Sequence, residues 1–234
     1  MIPQLGADPA SDFPDPGEAL ADPDGLLAWG GDLDPVRLIH AYHHGIFPWF
    51  SDDQPILWWS PARRCVLDPA AIRVTRRLQR TMARGGYRIT ADSAFADVVL
   101  GCAKPRDGQP GTWITTSMME AYGRLHRMGL AHSIEIWKAG RLVGGLYGLS
   151  LGRVFFGESM YSDMRDASKI ILVHLCRQLA QWHFPILDCQ VSNPHLESMG
   201  ACTIDRDEFI QLLQRHVARP APDQSFKAAL ETGT

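Results

Sequence analysis

The runs Ser133-Ile134-Glu135-Ile136-Trp137, Leu142-Val143-Gly144-Gly145-Leu146-Tyr147-Gly148-Leu149 and Arg153-Val154-Phe155-Phe156-Gly157-Glu158-Ser159-Met160 decide the fold. All three are apolar and β-rich, and only Lys138-Ala139-Gly140-Arg141 separates the first two. Short Gly-containing breaks of this kind join antiparallel neighbours, so three consecutive strands are predicted. Upstream, Ser117 followed three places later by Glu120 predicts a capping box. Met118, Tyr122, Leu125 and Met128 form the apolar stripe of that helix, which ends at Gly129. Downstream, Ser168 can cap a helix whose Ile171, Leu172, Leu175, Leu179 and Trp182 recur at three and four residues until Pro185 stops it. Ile186 to Val191 reads as a buried strand, Asn193-Pro194 starts a short helix closed by Gly200, and Asp205 with Glu208 caps a last helix through His216.

Helix, three antiparallel strands, helix, strand is the element order of the acetyltransferase-like (GNAT) fold. The expected class is α+β with a mixed, mostly antiparallel sheet. The chain before Pro35 differs in kind, with Asp15-Pro16-Gly17, Asp22-Pro23-Asp24-Gly25 and Gly30-Gly31 as turn signals. Asp34 can cap a helix over Pro35 to His44, with Gly45 just past its end, and this helix delivers Phe47-Pro48-Trp49-Phe50 onto a loop. The long alternation of strands and helices begins near Cys65. A small N-terminal α/β domain over residues 1–64 and a larger domain over 65–234 are therefore expected.

Hydrophobic content of 45% and charged content of 21% are ordinary for a globular protein, so no long disordered domain is expected. The start has neither a basic nor an apolar leader region, and no run approaches the ~18 apolar residues of a membrane span. A cytoplasmic location is expected. Cysteines 65, 102, 176, 189 and 202 form an odd set without a Cys-x-x-Cys pair, which argues against a disulfide framework or a zinc knuckle. Net charge is −3, yet the distribution says more than the sum. Arg73, Arg76, Arg77, Arg80 and Arg84 cluster in one stretch, and a helix over Ala70 to Ala83 would project the first four from one face, as a phosphate backbone requires. A solvated helix face has the same pattern.

Asp188 and Gln190 stand two apart on a predicted strand, so their side chains share a face and Cys189 takes the other. A carboxylate beside an amide suits the orientation of an amine and the handling of its proton; a buried Asp capping a loop has the same spacing. Glu158 lies in an apolar strand, where an unpaired charge is costly, so it requires a cationic or hydrogen-bonding partner. Lys169 or Arg165 would be internal choices. Trp49 and Trp113 stand in loop-like surroundings beside Pro48 and Gly111, where an aromatic ring can stack on a base or plug a gap between domains. Trp58 and Trp59 read as interface packing. His40 and His44 are one helical turn apart but lack a third ligand, so no metal is expected.

Gly45-Ile46-Phe47-Pro48-Trp49-Phe50, Ile56-Leu57-Trp58-Trp59-Ser60-Pro61, Gly111-Thr112-Trp113-Ile114, Ala131-His132-Ser133-Ile134-Glu135, Phe156-Gly157-Glu158-Ser159-Met160, Ala167-Ser168-Lys169 and Asp188-Cys189-Gln190 run through most of the chain. On these segments it resembles the leucyl/phenylalanyl-tRNA–protein transferases, bacterial enzymes that add Leu or Phe to proteins beginning with Arg or Lys. The resemblance implies the GNAT fold for the larger domain, and Leu-tRNA and Phe-tRNA as donors, with Met as a further candidate acyl group. It also implies proteins with N-terminal Arg or Lys as acceptors marked for N-degron proteolysis, no cofactor and no membrane, and a monomer. By residue, it implies Asp188 and Gln190 as the catalytic pair and Glu158 as the acceptor-binding carboxylate. Leu146, Phe155 and Leu172 match the wall of the aminoacyl pocket, although each could equally be plain core. Trp49 and Trp113 become contacts to the tRNA 3′ end, and the arginines become contacts to its backbone.

Two other readings stay open. The same fold could use acetyl-coenzyme A, although Arg165-Asp166-Ala167-Ser168-Lys169 lacks the glycines of the usual pyrophosphate-binding turn. A noncatalytic tRNA-binding protein would need the arginines and Trp residues but not Asp188, Gln190 and Glu158 together.

Overall fold

The structure is a computed structural model, and it describes residues 2–104, 114–221 and 225–230. The chain first builds β1 (Gln4–Leu5), β2 (Leu26–Gly30), α1 (Pro35–His43), β3 (Phe47–Pro48) and β4 (Leu57–Trp59). These strands form a four-stranded sheet in the order β1-β2-β4-β3, with only β1 and β2 parallel. There follow β5 (Arg63–Leu67), α2 (Arg76–Arg84), β6 (Arg88–Ala91), α3 (Phe95–Ala103), α4 (Thr116–Arg127), β7 (Ala131–Lys138), β8 (Arg141–Leu151) and β9 (Val154–Ser162). The chain continues through α5 (Ala167–Gln181), β10 (Ile186–Gln190), α6 (Pro194–Ser198), β11 (Cys202–Asp205), α7 (Arg206–His216) and α8 (Phe226–Leu230). The second sheet runs β11-β5-β10-β9-β8-β7-β6, antiparallel except for β9 and β10. The class is α+β with mixed sheets.

The three strands expected from residue 133 are β7, β8 and β9, and the expected helices precede and follow them. Their caps differ from the sequence expectation. Thr115, not Ser117, accepts the Met118 N–H and starts α4; α5 begins at Ala167 after Asp166, which makes no side-chain cap. Asp205 precedes α7 without capping it, because its carboxylate pairs with Arg63 across the β5–β11 ladder. The helix expected over 70–83 begins only at Arg76. Thr75 ends an extended link by accepting the Leu78 N–H, and the Arg73 N–H is already committed to the Met199 carbonyl. Arg73 is therefore not on the helix with Arg76, Arg77 and Arg80.

Alternation along the large sheet sorts apolar side chains into two clusters. Val66, Tyr147, Leu149, Phe156 and Ile186 pack with Tyr42, Tyr122 and Phe209 from α1, α4 and α7. Cys65, Leu67, Leu146, Phe155 and Leu187 pack with Ile171, Leu172 and Leu175 of α5 and Leu78 of α2. Each face is thus covered by helices, as a sheet buried on both sides requires.

Candidate active site

The site lies where the large sheet divides. β9 and β10 pair through Ile186 with Val154, Leu187 with Phe155 and Asp188 with Phe156, and their ladder stops there. β9 nonetheless runs on to Ser162 beside β8, and β10 to Gln190. A bulge falls on each strand at this fork. In the β8–β9 ladder Tyr147 faces Ser159 and Gly148 faces Gly157, so Glu158 is the extra residue. In the β5–β10 ladder Asp188 faces Val66 and Gln190 faces Cys65, so Cys189 is the extra residue. Bulges re-aim side chains, and two of them at one fork aim Glu158 and Gln190 at each other. Gly148 makes the first bulge possible: a Cβ there would stand 2.2 Å from the Phe156 carbonyl oxygen.

Asp188 is fully buried and paired face-on with Arg64. Arg64 Nε donates to Oδ1 at 2.8 Å and Nη2 to Oδ2 at 2.7 Å, while Nη1 donates to the Gly45 carbonyl at 3.0 Å. The guanidinium lies between the rings of Phe47 and Phe209, 4.7 and 4.6 Å from their centroids. Oδ1 of Asp188 also accepts the Gln190 N–H at 2.9 Å, and this contact holds Gln190 in its left-handed conformation, φ 60°. Both oxygens of Asp188 are engaged by Arg64, because an unpaired guanidinium buried between two rings would be costly.

Glu158 is buried, and among the described residues no cation contacts it. Neither Lys169 nor Arg165 is its partner. Tyr42 Oη donates to Oε1 and Tyr122 Oη to Oε2, each at 2.7 Å, and Gln190 Nε2 donates to Oε1 at 2.9 Å. The two tyrosine oxygens are themselves 2.5 Å apart. These three oxygen contacts close a ring, but the two hydroxyls carry only two protons. When Glu158 is protonated it supplies the third, and one tyrosine then accepts from the carboxyl and donates to the other tyrosine. Burial pushes the Glu158 carboxyl up to about 7, with the nearby Asp188 charge adding to the rise and the two tyrosine hydroxyls and Arg64 opposing it. Burial also drives both tyrosines well above their ordinary range, so they act as hydroxyl donors throughout the physiological range.

Tyr42 was not singled out in the sequence, and Tyr122 was read there only as part of an apolar stripe. The signal available was a tyrosine on the apolar stripe of each helix, since a buried hydroxyl needs a partner. Tyr42→Phe is expected to move the titration of Glu158 to higher pH and to cost about 1 kcal/mol of stability. Unfolding free energies measured from pH 5 to 9 check this. An unchanged pH profile would mean that the hydroxyl does not govern Glu158.

Leu146, Phe155 and Leu172 are buried together in the α5-side cluster, whereas Glu158, Asp188 and Arg64 face α1 and α7. The three apolar residues thus lie on the opposite face of the sheet from the polar cluster. Trp49 is 46% exposed, its ring 5.6 Å from that of Trp59, whose Nε1 donates to the Trp49 carbonyl at 2.7 Å. Trp58 is buried in the first core cluster, with Nε1 donating to the Gly30 carbonyl. Trp113 lies outside the described residues. Arg76, Arg77, Arg80 and Arg84 are exposed along α2, and none is ion-paired among the described residues. Among the described residues no cluster of three or more His, Cys, Asp or Glu could hold a metal ion, and the ring of His44 instead contacts the His40 carbonyl at 2.8 Å.

Residues 66–214 match the leucyl/phenylalanyl-tRNA protein transferase family, and residues 31–62 match the N-terminal domain of that family. The leucyl/phenylalanyl-tRNA–protein transferase of Stutzerimonas stutzeri (strain A1501) is 54% identical over 209 residues, 89% of this chain and 92% of that one. The relative of the same name from Chromobacterium violaceum is 52% identical over 226 residues, 97% of this chain and 96% of that one. Among solved structures, L-PGS from Bacillus licheniformis aligns with a TM-score of 0.44 at 10% identity over 83% of this chain and 73% of that one, a level of likeness that carries no argument. Two family matches, one on each side of Arg63–Arg64–Cys65, and identity above one half across nearly the whole length leave one assignment: the chain belongs to the leucyl/phenylalanyl-tRNA protein transferase family.

Proposed function

We propose that the chain is an aminoacyltransferase that moves Leu or Phe, with Met as a further candidate, from aminoacyl-tRNA to the α-amine of proteins beginning with Arg or Lys. Family membership supports the reaction, and the acceptor-marking role in N-degron proteolysis follows from it. The observation that carries the site is the buried Glu158, linked through Gln190 to the Asp188–Arg64 pair.

The reaction forms a C–N bond at the ester carbonyl and breaks the ester C–O bond, releasing the 3′ hydroxyl of the tRNA. The ester is already activated, so placement of an unprotonated amine and stabilisation of the oxyanion suffice. Glu158 receives the cationic side chain of the N-terminal Arg or Lys, giving up its ring proton as the cation arrives. Gln190 touches the α-amine with its amide oxygen, which accepts no hydrogen bond among the described residues while Nε2 holds Glu158. Asp188 is a positioning residue: its carboxylate fixes the Gln190 backbone and balances Arg64. Leu146, Phe155 and Leu172 form the wall for the Leu or Phe side chain. Trp49 and Trp113 stack on the tRNA 3′ end, and Arg73, Arg76, Arg77, Arg80 and Arg84 meet its backbone, with Arg73 contributing from the link before α2. The element order supports a GNAT-like unit over 65–234, entered where the chain leaves the four-stranded sheet, after a small unit over 1–64. No helix among the described residues is long and apolar enough to cross a membrane, which agrees with a cytoplasmic enzyme; we take it to act as a monomer.

The test is transfer of labelled Leu from Leu-tRNA to a peptide starting with Arg, beside one starting with Asp and an acetyl-coenzyme A control. Label on the Arg peptide alone is the expected result. Acetyl transfer without leucyl transfer would replace the donor.

A further inference from the structure

α2 and the start of α5 line a half-open cavity of about 250 Å³, formed by Thr75, Arg77, Leu78, Arg165, Asp166 and Lys169. Three cationic side chains from two separate elements converge there against one carboxylate. Among the described residues none of the three forms an ion pair. Cations brought together without counter-charges repel one another and are relieved by an anion. Asp166 is turned into the left-handed conformation, φ 64°, and its side chain does not cap α5; Ala167 N–H donates to the Met164 carbonyl, while the N–H groups of Ser168 and Lys169 at the start of this fifteen-residue helix have no partner among the described residues. Thr75 already accepts the Leu78 N–H, and its hydroxyl proton remains to donate.

The cavity is separate from the open face of the same helix, where Arg76 and Arg80 line a shallow depression with Gln79 and Ala83. It also has a specific neighbour. Lys169 and Leu172 lie three residues apart on α5, so they share a helix face with about 4.5 Å of rise between them. Leu172 belongs to the wall assigned above to the acyl side chain. In an aminoacyl-tRNA the acyl group hangs on the terminal ribose, whose 5′ phosphate is the nearest negative charge. We propose that this cavity takes a backbone phosphate from the 3′ end of the donor tRNA, with Arg165 and Lys169 as specificity-determining contacts; this rests on the aminoacyl-tRNA reading of the site. The phosphate sets how far the acyl group can reach along α5.

The test compares Arg165→Gln, Lys169→Gln and the double variant with wild type on two donors, Leu-tRNA and leucyl-adenosine, a nucleoside ester without phosphate. Each single variant is expected to raise KM for Leu-tRNA by about five- to tenfold with kcat held, and to lower the salt slope of binding by about 0.7 to 0.9. Transfer from leucyl-adenosine is expected to stay at the wild-type rate. Unchanged KM and salt slope for Leu-tRNA would overturn the proposal. Parallel loss with leucyl-adenosine would overturn it too, whether melting temperature falls with it (a structural role) or holds (a role at the reacting centre). Inorganic phosphate is the third arm: inhibition of wild-type leucyl-adenosine transfer that the double variant abolishes, with KM for Leu-tRNA unmoved, would assign the cavity to a free anion. Failure of the wild type itself to use Leu-tRNA would instead sink the reading of function.

Discussion

Asp188→Ala is expected to lower stability by about 3–5 kcal/mol and to reduce kcat/KM for transfer by about 10²-fold or more. The stability loss follows from the partner left behind. Arg64 is buried between Phe47 and Phe209, and without the carboxylate it keeps a single hydrogen bond, donated by Nη1 to the Gly45 carbonyl. An uncompensated buried charge carries a penalty of that size. The activity loss follows from the freed Gln190 backbone, since a displacement of about 1 Å at a reacting group can cost 10²-fold. The two effects separate in the double variant Arg64→Met with Asp188→Leu. Removing both charges together is expected to return stability to within about 1–2 kcal/mol of wild type, because a buried pair exchanged for apolar groups is often neutral. Transfer is expected to stay low. Urea unfolding and peptide-transfer kinetics on the same samples decide it; a fully active double variant would remove the pair from the positioning of Gln190.

Glu158→Gln is expected to stabilise the protein at pH 8 and to disable it. The sign follows from the carboxyl being raised to about 7 in the folded chain from an ordinary value near 4.5. Between those values the folded state holds the proton and the unfolded state does not, so wild-type stability falls as pH rises through this window. The full penalty above pH 7 is about 3 kcal/mol. Glutamine copies the protonated acid: its amide oxygen accepts from one tyrosine and its nitrogen donates to the other. The stability gain over wild type should therefore be absent near pH 4 and grow to about 3 kcal/mol by pH 8. Binding moves the other way. A neutral amide cannot meet a guanidinium or ammonium, and loss of a buried charge-assisted contact of about 2–5 kcal/mol predicts a rise in acceptor KM of about 30-fold or more. Equal KM values for Arg and Asp peptides in wild type would show that Glu158 does not read the acceptor's charge.

Strands β7 to β10 were legible because alternation and turn residues are local signals, and so were helices α1, α4, α5, α6 and α7, whereas β5, β6, β11 and α3 were not read as elements. The starting points of the helices were less legible. Thr115 and Ser117 are chemically alike as caps, and only packing chooses between them. The arginine stretch misled at Arg73 because residues 70–75 have usable spacing but are tied down by Met199, a long-range contact. At the site, Glu158 and Asp188 stood out as carboxylates in apolar strands. Their partners did not, since Tyr42 lies 116 residues from Glu158 and Arg64 lies 124 from Asp188. The two bulges were invisible for a related reason: Gly148 and Gly157 read as strand glycines until the opposing strand sets the register.

The position of β5 in the large sheet has a consequence for how the protein is made. Arg63–Leu67 emerges early from the ribosome, yet both its neighbours, β10 and β11, come from the last quarter of the chain. At ordinary rates of synthesis the roughly 120 residues in between take on the order of 10 s, and for that time Cys65-Val66-Leu67 is an apolar strand with two open edges. Arg63 and Arg64 at its head discourage other strands from pairing with it meanwhile, as charges on open edges do. Arg64, which later pairs with Asp188, thus first serves as a guard on the nascent chain. Only when residue 188 arrives does its charge find a partner.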